Sequence, residues 1–133
     1  MNKTPLILFL LLPLPLSAPS VNSVAIFRTK GINPYVEIYN AVSIVESGKT
    51  DYKINFKEGA FGRVQIRSCK LHNFNKATGK NYQLRDCFNE SVSREIFMWH
   101  IFRYGMNTEI AIKKWNGKGI KAERYLKRVK ELI

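Results

Sequence analysis

The chain has 133 residues, of which 45% are hydrophobic and 24% charged, and this composition is typical of one globular domain rather than of a disordered segment. Lysine and arginine number 22 against 10 aspartate and glutamate residues, so the net charge of +12 excludes an acidic protein that solvates its ligand. The 2 cysteines exclude a disulfide scaffold or a four-thiolate metal site, and no apolar run reaches the roughly 20 residues of a membrane span.

The first twenty residues have the pattern of a secretory signal peptide. Lys3 precedes the apolar stretch Leu6–Leu16, and small residues such as Ser17, Ala18 and Ser20 follow it. A basic start, an apolar stretch of about 7–15 residues and a small-residue end are the features that direct secretion. We therefore predict a signal peptide over residues 1–20, cut between about 18 and 23, and a periplasmic or secreted protein without a transmembrane segment in the mature chain.

The basic charge has two interpretations. Nucleic-acid binding is one, but the chain carries no ribonucleoprotein motif, no zinc-finger spacing and no dense basic block, so we expect no nucleic-acid partner. An exported protein meets anionic wall polymers and lipid headgroups first. A solvated charged surface that maintains solubility is the simpler alternative, and it explains the charge taken by itself.

The first predicted helix spans residues 34–47. Asn33 is a suitable N-cap, Pro34 suits the first helical position, and Gly48 can take the left-handed conformation just past the end. Apolar residues between them recur every three or four positions, the period of one helical face. Residues 49–67 break that period and predict an irregular or short-strand excursion.

Four further helices are predicted after the excursion. The helical period returns from Leu71 until Gly79, resumes after the N-cap Asn89 until Gly105, and then covers residues 108–115 and a last segment marked by Tyr125, Leu126, Val129 and Leu132. With no internal repeat and no linker after residue 32, the pattern predicts a mainly α single domain over residues 31–133.

Glu46 is the first candidate for chemistry. It occupies the last turn of the first predicted helix, where the helix dipole disfavours an anion. An apolar neighbourhood at that end raises the pKa of a carboxyl, which a general acid near neutral pH requires. A surface glutamate at a helix end is the alternative, and this helix alone favours it.

Two other segments add possible sugar-binding groups. Gly59–Ile66 has two glycines that permit close approach of backbone, followed by Gln65 between aliphatic residues. Ala111–Gly117 brings Trp115 and Asn116 to a helix end before a loop. Aromatic faces and amides suit an N-acetylated glycan, although each residue alone is commonplace and a tryptophan is more often a core anchor.

Taken in order and spacing, these segments resemble the catalytic domain of soluble lytic transglycosylases, which belongs to the lysozyme superfamily and is related to goose-type lysozymes. Val45–Gly48 is similar to the Glu-Ser helix end of the family, Gly59–Ile66 to its Gly-Ala-x-Gly-Leu-Met-Gln-Ile motif, and Trp115–Gly117 to its third motif. The resemblance covers residues 35–133 and implies a lysozyme-like fold.

The resemblance also implies an activity and a set of roles. The family cleaves the β-1,4 bond between N-acetylmuramic acid and N-acetylglucosamine and leaves a 1,6-anhydromuramic product. Glu46 would act as acid and then as base, and Ser47 would orient it. The substrate in the cleft would be contacted by Ser47, Gly62, Gln65, Trp115 and Asn116.

Departures from the family pattern leave alternatives open. Arg63 replaces the usual apolar residue, and the segment Asn116–Gly119 lacks the common Gly-Pro continuation. A hydrolytic lysozyme, related to the goose type, is the nearest alternative, but it would need a second carboxylate. Only Asp51 and Glu58 follow Glu46 closely, and residues 59–85 contain no acid. A non-catalytic peptidoglycan-binding module is the other alternative.

The cysteines and histidines complete the sequence predictions. Export to an oxidising compartment favours a disulfide between Cys69 and Cys87, with two buried reduced thiols as the alternative. His72 and His100 could join them in a zinc site, but the cysteine spacing is far longer than that of a zinc knuckle. We therefore expect no metal and no cofactor, and a monomer whose partner is the glycan strand of peptidoglycan.

Overall fold

A computed structural model describes residues 33–105 and 107–133. The signal peptide predicted over residues 1–20, with its cleavage site, lies outside the described residues. In this part of the chain α1 is Pro34–Ser47, β1 is Ile54–Asn55, β2 is Ala60–Phe61 and β3 is Ile66–Arg67. The remaining elements are α2 (Ser68–Thr78), a 3₁₀ turn (Leu84–Phe88), α3 (Glu90–Phe102), α4 (Thr108–Asn116) and α5 (Ile120–Lys130).

The prediction of a mainly α fold with a short-strand excursion is confirmed. Helix α1 begins and ends where the sequence predicts: the Asn33 side chain accepts a hydrogen bond from the Tyr35 amide, and Gly48 takes φ +64°. The excursion is a three-stranded antiparallel sheet in the order β1-β2-β3, with Ile54 opposite Phe61 and Asn55 opposite Ala60. The 3₁₀ turn has no counterpart among the predicted elements.

One hydrophobic core joins the helices to the sheet segment. Helix α3 packs on α1, α2 and α4, while α5 packs on α1 and α4. The centre of the core is formed by fully buried side chains, among them Tyr39, Phe97, Ile66, Val64 and Val129. Because α5 lies against α1, the buried stripe of α5 reaches the C-terminal end of α1, where Glu46 is located.

The structure corrects the predicted disulfide, because Cys69 and Cys87 are both free thiols. Cys69 lies exposed in the first turn of α2, whereas Cys87 is fully buried in the hydrophobic core. Burial in apolar surroundings raises the pKa of the Cys87 thiol to about 12, so this thiol stays protonated at neutral pH. The alternative prediction of two buried, reduced thiols is therefore correct for Cys87 but wrong for Cys69.

Within the described residues no helix is long and apolar enough to cross a membrane.

Candidate functional site

A polar cleft lies where the C-terminal end of α1, the small sheet, the end of α4 and the middle of α5 meet. It has a volume of about 230 Å³. It is lined by Val45, Glu46, Lys53, Asn55, Glu58, Gln65, Arg67, Trp115, Asn116, Tyr125 and Arg128. Four of the residues singled out in the sequence thus come together from three separate segments: Glu46, Gln65, Trp115 and Asn116.

The Glu46 side chain is half-buried in the wall of this cleft. Burial raises the pKa of its carboxyl above the ordinary value, because it disfavours the charged form. The Tyr125 hydroxyl and the charges of Arg67 and Lys53 act in the opposite direction, while the charge of Glu58 adds to the rise. No ion pair holds Glu46 among the described residues, so its carboxyl remains available to a ligand.

Tyr125 is the cleft residue that faces Glu46 from α5. Its hydroxyl is buried and has no hydrogen-bond partner of normal geometry in the described part of the chain, yet it lies close enough to lower the pKa of Glu46. Burial and the neighbouring Glu46 carboxylate raise the pKa of Tyr125 itself, so the phenol stays protonated. Helix periodicity places Tyr125 only on the buried face of a helix; a polar hydroxyl on that apolar stripe is the sequence signal that indicates a role in the cleft.

Gln65 is held rigidly by its own loop. Its side-chain Nε2 donates to the backbone oxygens of Gly62 at 2.8 Å and Lys53 at 3.1 Å. These two bonds stabilise a left-handed backbone at Gln65, with φ +53°, which is uncommon for a residue other than glycine. With both amide hydrogens committed, the side chain borders the cleft as a fixed acceptor, which agrees with its predicted place in the site.

Trp115 lies at the cleft but differs from the expected sugar platform. It is only 3% exposed, its Nε1 donates to the Val64 oxygen at 3.1 Å, and its ring packs edge-to-face on Phe97. The ammonium of Lys70 lies 4.0 Å from the ring centroid and covers one face. Trp115 is therefore a core anchor that fixes the end of α4, and a sugar ring cannot stack on it.

Ser47 and Gly62 do not line the cleft, contrary to expectation. The Ser47 hydroxyl donates to the Ser43 oxygen one turn back at 3.0 Å, so it does not orient Glu46. Gly62 has φ +79°, and a Cβ placed on it would lie 2.0 Å from the Cys87 oxygen. Its small size is needed for packing against the 3₁₀ turn.

The remaining charges of the cleft were not assigned to the site from the sequence. Lys53 donates from Nζ to the backbone oxygen of Glu46, which places a cation at the negative end of α1. Arg67 pairs with Glu58 at 3.2 Å and also reaches the Asn116 oxygen at 3.4 Å. Together with Arg128, these residues give the cleft three cations against two carboxyl groups.

Arg63, the departure from the family motif, lies outside the cleft. It forms a two-pronged ion pair with Asp51, with distances of 2.6 and 3.1 Å, and its Nη2 lies 3.6 Å from Glu90. Asp51, one of the two nearby carboxylates considered for hydrolysis, is therefore engaged by Arg63. Glu58 is the second carboxylate that lines the cleft.

The fold and the site thus define a mainly α protein with a polar cleft around a half-buried carboxyl. Comparisons with models of protein families, with curated protein sequences and with solved structures found no match to this chain. A functional assignment therefore depends on the motifs of the chain and on the geometry of the cleft.

Proposed function

We propose that this protein is an exported lytic transglycosylase that cleaves the glycan strands of peptidoglycan between N-acetylmuramic acid and N-acetylglucosamine. The observation that carries the proposal is the convergence of Glu46, Gln65 and Asn116 in one polar cleft, as the three sequence motifs require. The raised pKa of Glu46 supports it, because a general acid must hold a proton near neutral pH.

In the proposed reaction Glu46 carries the proton through both steps. Its protonated carboxyl donates to the glycosidic oxygen as the bond from that oxygen to C1 of the muramic sugar breaks. The resulting carboxylate then takes the proton of the 6-hydroxyl of the same sugar, whose oxygen attacks C1 and closes the 1,6-anhydro ring. The proton returns to Glu46, and no water is consumed.

Hydrolysis is the second candidate, and one observation favours it. Glu58 lines the same cleft as Glu46, so a second carboxylate is available to activate water. Against this role, Glu58 is ion-paired with Arg67, and its side chain is 53% exposed. Because Arg67 engages this carboxylate, it is less free to bind and orient a water molecule.

Mass spectrometry of the soluble products from purified sacculi tests the two reactions. A lytic transglycosylase gives fragments that end in anhydromuramic acid, whereas a lysozyme gives reducing ends. We expect anhydro ends, and we expect Glu58→Gln to retain most of the activity. Reducing ends together with inactivity of Glu58→Gln would establish hydrolysis, and intact sacculi without any product would favour a binding module.

The Tyr125 hydroxyl provides a prediction about pH. Since this hydroxyl lowers the pKa of Glu46, Tyr125→Phe is expected to let Glu46 keep its proton to higher pH. The alkaline limb of the pH–rate profile on sacculi should therefore move to higher pH.

Tyr39→Phe is the matched control for this measurement. Tyr39 is the other tyrosine with a buried, unpartnered hydroxyl in the described part of the chain, and it does not line the cleft. Its substitution should leave the pH–rate profile in place. An alkaline limb that is the same in Tyr125→Phe and in the parent protein contradicts the assigned influence of Tyr125 on Glu46.

A further inference from the structure

Helix α5 carries three exposed cations on the flank next to the cleft: Lys121, Arg124 and Arg128. They are separated by three and four residues, so they lie along one face of the helix. The opposite face, which includes Ala122, Leu126 and Val129, is buried in the core. We refer to Lys121, Arg124 and Arg128 as the α5 strip.

The α5 strip continues the cleft. Arg128 itself lines the cleft, beside Tyr125. At a rise of about 1.5 Å per residue, Arg124 lies about 6 Å and Lys121 about 10 Å further along the helix axis. A polymer bound in the cleft can therefore extend its substituents along this strip.

The charges of the α5 strip are not neutralised by neighbouring acids. In the described residues none of the three cations forms an ion pair. The other flank of α5 differs, because Glu123 pairs with Lys113 at 3.0 Å and Lys130 pairs with Glu109 at 2.7 Å. Lys127 on that other flank is also unpaired in the described residues, so what distinguishes the strip is its place beside the cleft.

The chemistry of the strip favours carboxylates on an extended polymer. Guanidinium and ammonium groups bind carboxylates through charge-assisted hydrogen bonds, and a row of them suits repeated anionic groups. Insertion into a lipid surface needs an exposed apolar helix face, but the apolar face of α5 is buried in the core. Because Arg128 belongs to both the strip and the cleft, a polymer long enough to span the two surfaces can contact them together.

We propose that the α5 strip binds the carboxylates of the stem peptides that branch from a glycan strand held in the cleft. This inference rests on the proposed function, since it takes the cleft occupant to be peptidoglycan. It assigns to α5 a preference for strands that still carry their peptides. The sugar backbone contacts the cleft, and the peptide carboxylates contact Lys121 and Arg124 outside it.

The test measures binding of the mature chain to sacculi in a Glu46→Gln background, which prevents cleavage. Intact sacculi are compared with glycan strands from which an amidase has removed the stem peptides. The strip variant is Lys121→Glu with Arg124→Glu, and the control is Lys114→Glu with Lys127→Glu. The control makes the same charge change at two exposed lysines that do not line the cleft.

We expect the strip variant to bind intact sacculi about tenfold more weakly than its parent, and peptide-free strands with little change. The control should change both affinities by less than about twofold. If the strip variant and the control lose equal affinity for intact sacculi, net charge alone explains the effect and the proposal is overturned. An equal loss of affinity for peptide-free strands would overturn stem-peptide recognition. A DNA fragment serves as a further probe: a strip variant that loses affinity for the DNA fragment but not for intact sacculi would also overturn the proposal.

Product analysis of the chain with Glu46 intact separates this inference from the proposed function. If no soluble product forms but the strip variant still loses affinity for intact sacculi alone, the strip is correct and the enzyme assignment is wrong. If anhydro products form and the strip variant binds intact sacculi as its parent does, the enzyme assignment stands and the strip proposal is wrong.

Discussion

Replacement of Glu46 by glutamine is expected to abolish release of fragments from sacculi and, at the same time, to stabilise the folded protein. In the proposed reaction the amide cannot donate the proton that the glycosidic oxygen needs, so the rate should fall by at least about 100-fold. The same change removes an anion from the negative end of α1, where it is half-buried. We expect a gain of about 0.3–1 kcal/mol in the free energy of unfolding.

The pH dependence of this gain follows from the direction of the pKa shift. Because burial raises the pKa of Glu46 in the folded state above its ordinary value, the folded protein binds the Glu46 proton more tightly than the unfolded chain does. The parent protein therefore loses stability as pH rises from the pKa of Glu46 in the unfolded chain to its higher pKa in the folded protein, whereas the glutamine variant does not. The difference between them should grow from acid toward neutral pH and then level off.

Glu37→Gln is the control in the same helix. Glu37 lies exposed in the first turn of α1, at the end where the helix dipole favours an anion. Its loss should leave activity unchanged and lower stability slightly. Thermal unfolding at several pH values, together with turnover of sacculi, measures both effects. An active Glu46→Gln protein would remove Glu46 from the proposed reaction.

Gly62→Ala is expected to cause the largest loss of stability of any substitution considered. Gly62 has φ +79°, and the new Cβ would lie 2.0 Å from the Cys87 oxygen and 2.9 Å from the Cys87 carbonyl carbon. Both are backbone atoms, so no rotamer change can relieve the overlap. The loop must move, and we expect a loss of at least about 3 kcal/mol in the free energy of unfolding.

Gly79→Ala separates the overlap from the backbone conformation. Gly79 ends α2 at φ +72°, close to that of Gly62, but a Cβ there meets no atom within 4 Å. Only the left-handed conformation is then penalised, at about 1–2 kcal/mol. Chemical denaturation of both variants measures the difference. If Gly62→Ala loses no more than Gly79→Ala, the contact with Cys87 is not what requires glycine.

The elements of the fold were largely predictable because their signals are local. Asn33, Pro34 and Gly48 mark the ends of α1 in adjacent residues, and the structure places the helix between them. The 3₁₀ turn has some local support, because the Asp86 carboxylate accepts from the Gln83 amide at 2.7 Å. It was missed because its other contacts come from elsewhere in the chain: Gly62 packs against the Cys87 carbonyl, and the Ser93 hydroxyl donates to the same oxygen. The sequence of residues 84–88 has no periodicity that predicts these contacts.

The candidate site was predictable in its members but less so in their roles. Glu46 and Gln65 lie in the cleft, as their motifs indicated. The sequence could not show that the Ser47 hydroxyl turns back to its own helix, or that Lys70 covers a face of Trp115. Tyr125 enters the cleft because α5 packs on α1, a long-range contact that helix periodicity alone does not determine.

Lys53 links the end of α1 to the loop around Gln65, the first through its side chain and the second through its backbone carbonyl. Its ammonium group binds the backbone oxygen of Glu46, while its own carbonyl accepts from the Gly62 amide at 2.9 Å and from the Gln65 side chain. A substitution at Lys53 changes only the first contact, because the carbonyl belongs to the main chain. The length of the segment between Gly48 and Lys53 is consequently under tighter constraint than its composition. Insertion of one residue there would move the Lys53 carbonyl away from its two donors. The loop around Gln65 would then be released from the end of α1, even with every cleft side chain retained.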